Sequence, residues 1–130
     1  MRPTPHFAAI ATTICADASA QLAGVPVHAT TLTELVRDTQ RQLAIVRDEL
    51  TQLGALTAPP ALSQRFAAAL AAGRAETAAI AALIGAIRTG DATRVATLAL
   101  RARSVDARAR STMAALRLGE CTRAAAARTR

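Results

Sequence analysis

Large apolar residues recur along this chain in steps of three and four, with polar residues between them. The rhythm is clearest at Val36, Thr39, Leu43, Val46, Leu50 and Leu53, with Arg37, Arg41, Gln42, Arg47 and Asp48 on the opposite side. Such steps hold side chains on one face of an α-helix. A seam of this kind suits helices packed at shallow angles. Thr31-x-x-Glu34 stands before it as a capping box, in which hydroxyl and carboxylate each satisfy an orphan backbone N–H. Pro59-Pro60 stands after it, so the helix is expected over about 31–56.

Three further segments share the pattern. Phe7, Ile10, Ala11, Ile14, Ala18 and Leu22 predict a helix over about 5–23, with Thr4 as cap and Gly24 and Pro26 as terminator. Leu62, Phe66, Ala69, Gly73, Thr77, Ile80, Ile84 and Ile87 predict another over about 60–89. Its stripe is small at the centre, and Gly73 costs about 1 kcal/mol of helix propensity relative to Ala. Close approach of a neighbouring helix is the favoured reading of Gly73; a small-ligand cavity is the other. Thr89-Gly90-Asp91 reads as stop, turn and N-cap. Val95, Leu98, Ala102, Val105, Ala109, Met113 and Leu116 then predict a fourth helix over about 91–118. Residues 122–130 hold no large apolar side chain and are expected as a frayed or disordered basic tail. Four helices with short connectors imply one all-α domain over about 1–121, an antiparallel up-down four-helix bundle.

Composition strengthens the helical reading. Alanine is the commonest residue, Trp and Tyr are absent, and Phe7 and Phe66 are the only aromatics. No segment is expected to cross a membrane, because the apolar stretch between Glu76 and Arg88 falls well short of about 20 residues. Arg2, the run Phe7–Ala16 and Ala18-Ser19-Ala20 loosely mimic a signal peptide. Thr12, Thr13 and Asp17 interrupt that pattern, so the segment is expected to be part of the mature fold.

Cys15 and Cys121 are too far apart for a Cys-x-x-Cys motif. They are read as a disulfide between the first and fourth helices, neighbours in an up-down bundle; two buried thiols are the competing reading. Because Cys121 follows the end of the fourth helix, the bond is expected to need the first helix displaced toward that end, with residues 23–30 as an extended connector.

Ile14-Cys15-Ala16-Asp17-Ala18, Leu56-Thr57-Ala58-Pro59-Pro60 and Leu116-Arg117-Leu118-Gly119-Glu120-Cys121 together resemble a set of uncharacterised small exported actinobacterial proteins with an early and a late cysteine. The resemblance covers most of the chain. It implies a helical bundle, export to the extracellular space or cell envelope, and a disulfide, but no activity.

Candidate chemistry is sparse. His6 and His28 have no Cys, His or carboxylate at metal-ligand spacing. No Glu-x-x-His pair or phosphate loop occurs. Asp48 and Glu49 are adjacent and diverge by about 100° on a helix; Glu49 is placed at the edge of the seam and Asp48 on the solvated face. An enzyme, a metal and a cofactor are therefore not expected.

Charge supplies the one lead. The net charge is +7, every basic residue is arginine, and nine of the sixteen lie beyond residue 90. Arg94, Arg101 and Arg108 form one seven-residue row; Arg103, Arg110 and Arg117 form a second, with Arg123, Arg128 and Arg130 beyond. A solvated face partly paired with acids of the second helix is the simpler reading. A polyanion surface is the functional one. The sequence is therefore read as a non-enzymatic, exported, structural or envelope-associated binding module of unknown partner, with an anionic envelope polymer or lipid headgroup the favoured class and nucleic acid less so. The alternatives are a cytoplasmic nucleic-acid-associated protein and a small-ligand carrier with a cavity near Gly73.

Overall fold

The computed structural model describes residues 2–26 and 28–127. It is all-helical, with five helices and no strand among the described residues: α1 (Phe7–Ala23), α2 (Leu32–Gly54), α3 (Ser63–Thr89), α4 (Ala92–Ala114) and α5 (Gly119–Ala127). The expected fourth helix is divided. It ends at Ala114, and Arg117 and Gly119 take left-handed conformations with φ of 52° and 44°. The chain then folds back into α5, where a frayed tail was expected. Thr122 fixes the break: its hydroxyl accepts from Leu118 N–H at 2.9 Å and donates to Ala114 O at 3.5 Å. Gly119 also lies so close to α1 that a Cβ would sit 3.1 Å from Thr12 Oγ1. A left-handed, crowded position of this kind favours glycine. Arg128 and Arg130 of the expected tail lie outside the described residues.

The other helix ends follow local chemistry. Thr31 Oγ1 accepts from Glu34 N–H at 3.1 Å, as the capping box requires. The Glu34 carboxylate reaches one residue further back and accepts from Thr30 N–H at 3.0 Å. Asp91 Oδ1 accepts from Arg94 N–H at 3.0 Å to start α4. Thr4 does not cap α1; His6 holds that position with φ 56° and no side-chain bond. Instead, Thr4 Oγ1 accepts from Thr57 N–H at 2.7 Å, and Thr4 N–H donates to Thr57 O at 2.8 Å. The two bonds clamp the N-terminal segment to the α2–α3 connector. Helix α3 starts at Ser63, behind a turn over Pro60–Leu62.

α3 is the central helix. It packs on α2 and most extensively on α4. Burial on two sides explains its apolar character, and Phe66, Ala69, Leu70, Ala72, Ala79 and Ile84 are all buried. By length and composition alone it is apolar enough to cross a membrane, and 44% of its most apolar stretch is buried inside the fold.

α1 lies against α2 and α5, and its backbone does not reach α4. Cys15 and Cys121 form a disulfide, with Cα atoms 5.1 Å apart. The fourth helix is therefore not the partner of the first in this bond. The reversal at Ala115–Gly119 returns the chain along α1 and delivers Cys121 on α5. Around the bond lies one core of Phe7, Ala11, Leu50, Leu53, Phe66 and Leu116. Phe7 meets Phe66 edge to face, with centroids 5.0 Å apart, a geometry worth about 0.5–1.5 kcal/mol beyond area burial.

Candidate functional site

Two features stand outside that core: the outer face of α4 and a cavity on the inner side of the same helix. The inner face of α4 is small and apolar, through Val95, Ala102, Ala109 and Met113, which lets α4 pack closely on α3. The opposite face is left to solvent. Arg94, Arg101 and Arg108 are exposed along one edge of it and Arg103 along the other, about 160° round the helix, and none forms an ion pair among the described residues. α4 makes no backbone contact with α2, and these four arginines form no ion pair with α2 acids among the described residues. Arg101 and Arg108 border a shallow depression that also contains Ser104, Ser111 and the backbone between them. Arg94, Arg101 and Arg108 repeat at seven residues, about 10 Å apart along the axis. Leu100 stands on the same outer side with 67% of its surface exposed.

The second expected arginine row is broken. Arg110 turns inward, donates to Asp106 Oδ2 at 2.9 Å, and lines an internal space with Glu49 and Glu76. Arg117 is exposed, but it sits in the α4–α5 reversal rather than on α4. Arg123 is exposed on α5, where its Nε donates to Glu120 Oε2 at 3.2 Å.

The acids also depart from the sequence pattern. Glu49, placed at the seam's edge, is buried, as is Glu76. Both are partnered, as is Arg110. Asp48 stays exposed and accepts from Gln52 Nε2 at 2.8 Å. Two features of the sequence mark these positions. Glu76 continues the spacing Phe66, Ala69, Gly73, and Asp106 precedes Arg110 by the four residues that favour an acid–base pair on a helix. His6 and His28 are exposed and belong to no grouping of metal ligands among the described residues.

Gly73 is a point of close approach. A Cβ there would lie 2.8 Å from Leu50 Cδ2, so α2 presses directly on α3. The internal space beside it is only ≈ 30 Å³, room for about one water. A larger cavity of ≈ 350 Å³ opens further along the bundle. Leu22, Leu43, Val46 and Ile80 form its apolar wall. Thr39, Gln42 and Thr77 also line it, together with Glu76 and Asp106.

No protein family, curated protein or solved structure matches the chain.

Proposed function

We propose that this protein is a non-enzymatic, exported helical protein that binds an anionic polymer of the cell envelope through the outer face of α4. The observation that carries this reading is the row Arg94, Arg101 and Arg108, all exposed and without carboxylate partners among the described residues. Exposed like charges repel one another, and a polyanion removes that repulsion while adding charge-assisted hydrogen bonds. Ser104 and Ser111 add hydroxyl donors to the same depression. The Cys15–Cys121 bond fits an oxidising compartment, as does the resemblance to small exported actinobacterial proteins.

The proposed scaffold is an antiparallel arrangement of α1–α4 with α5 folded back beside α1. The single turn between α3 and α4 and the contact of Leu50 with Gly73 support it. Nucleic acid is the less favoured partner. Both aromatics of the chain, Phe7 and Phe66, are packed on each other in the core and offer no stacking surface.

Titration with inorganic polyphosphate, duplex DNA and phosphatidylglycerol vesicles over a range of salt tests this. Polyphosphate is expected to bind most tightly, with affinity falling as salt rises. Replacing Arg94, Arg101 and Arg108 by Gln is expected to weaken it at least tenfold. Tighter binding to DNA would favour the nucleic-acid reading, and tighter binding to vesicles a lipid partner. Unchanged affinity in the triple variant would remove α4 from the interaction.

A further inference from the structure

We propose that the ≈ 350 Å³ cavity is a binding site for a small organic amine with an apolar body, a function separate from the arginine face. An engineered cavity of about 150 Å³ holds benzene, so this one admits a guest of roughly twice that size. It falls within the range of small-molecule sites, about 300–1,000 Å³. Its wall satisfies the apolar requirement through Leu22 from α1, Leu43 and Val46 from α2, and Ile80 from α3.

Hydrogen-bond capacity decides the head group. The Thr39 hydroxyl donates to Leu35 O at 2.8 Å, and the Thr77 hydroxyl donates to Arg74 O at 2.9 Å. With their protons committed, both oxygens face a guest as acceptors. The Asp106 carboxylate adds acceptor oxygens, and Glu76, itself partnered, lies beside it. Asp106 already accepts from Arg110, yet a carboxylate offers about four lone-pair sites. Gln42 alone adds a donor. The lining is thus rich in acceptors. An ammonium group brings three donors to such a lining, whereas a carboxylate guest would offer only acceptors. A fatty acid is excluded on the same chemistry that admits an alkylamine.

The test uses the oxidised full chain and three probes of equal length: n-octylammonium, octan-1-ol and octanoate. Binding is followed by calorimetry and by methyl NMR. Octylammonium is expected to bind saturably and at least tenfold more tightly than octanoate, with octan-1-ol between them. The methyl shifts are expected at Leu22, Leu43, Val46 and Ile80. Ile80→Trp fills the cavity and is expected to abolish binding. Should that variant fail to fold, Leu22→Trp at the half-buried end of α1 serves instead. Octanoate binding as tightly as octylammonium, no binding of octylammonium, shifts centred on exposed Leu32, Leu35 or Leu100, or full affinity in a folded filled variant would each overturn the proposal. The arginine face repels an ammonium probe, so the two sites are tested independently.

Discussion

The two ends of this molecule are built differently. At one end, the start of α1, the end of α2, the start of α3 and the α4–α5 reversal converge on Phe7, Leu53, Phe66 and Leu116. That end also holds the Thr4–Thr57 clamp, and the disulfide borders the same core. At the other end, the start of α2, the end of α3 and the start of α4 meet with less cover. Leu32 and Leu35 remain 58% and 50% exposed, and the larger cavity lies between the two ends. Helix length is the physical cause. α3 has 27 residues and α1 only 17, a difference of about 15 Å of axis. α1 begins beside Phe66 and runs out before the end of α3. The contrast separates a stabilising end from a part of the fold with room for a guest.

Mutations should expose this asymmetry. Phe66→Ala is expected to cost about 3–5 kcal/mol in urea unfolding, because it removes an aromatic pair and leaves a cavity. Leu35→Ala at the open end is expected to change stability by less than about 0.5 kcal/mol. Comparable losses would erase the distinction. Replacing Cys15 and Cys121 together by Ala should cost about 2–5 kcal/mol, since the bond closes a sequence separation of 106. Equal midpoints for the double variant and the oxidised protein would count against a structural role for the bond.

Two glycines on α3 sharpen the comparison. Gly73→Ala must displace Leu50, at roughly 1–3 kcal/mol, offset by about 1 kcal/mol of helix propensity. A net loss of up to about 2 kcal/mol follows. Gly85 has open space around its missing Cβ, so Gly85→Ala is expected to stabilise by about 0.5–1 kcal/mol. Thermal melts of the two variants should move in opposite directions.

The smallest effect is at the start of α2. Hydrogen bonds from the Thr30 backbone and side chain hold the Glu34 carboxyl below its ordinary pKa, with a lesser contribution from Arg37. A lowered folded pKa means the contribution is complete above the unfolded value of 4.5 and fades as pH falls through the folded one. The Thr30 amide resonance should therefore titrate below pH 4.5, and Glu34→Gln should abolish that titration.

Helix identity was legible wherever large apolar residues mark a seam, as in α2, α3 and most of α4. The Thr31 cap, the Asp91 cap and the cysteine pairing were legible for similar local reasons. α5 was not, because Thr122–Ala127 contains nothing larger than Arg and Thr among its alanines. Its burial comes from Cys121 and Ala125 packed where small residues permit close approach, which a count of large apolar positions does not detect. The inward turn of Arg110 was hidden for a different reason. Its position borders the seam, and only its partner Asp106 and the lining it shares with Glu49 and Glu76 reveal the side it takes. The arginine surface was legible as a row, but the row that survives is Arg94, Arg101 and Arg108.

Native-state hydrogen exchange, read residue by residue on the oxidised chain, tests the two-ended architecture most directly. The slowest amides are expected around Ala11–Cys15, Leu50–Leu53, Phe66–Leu70 and Cys121, exchanging near the global unfolding limit. Amides of Leu35–Thr39, Ile84–Arg88 and Val95–Leu98 are expected to exchange markedly faster, through local opening. Uniform protection along α2 and α3, or slower exchange at the open end, would contradict it.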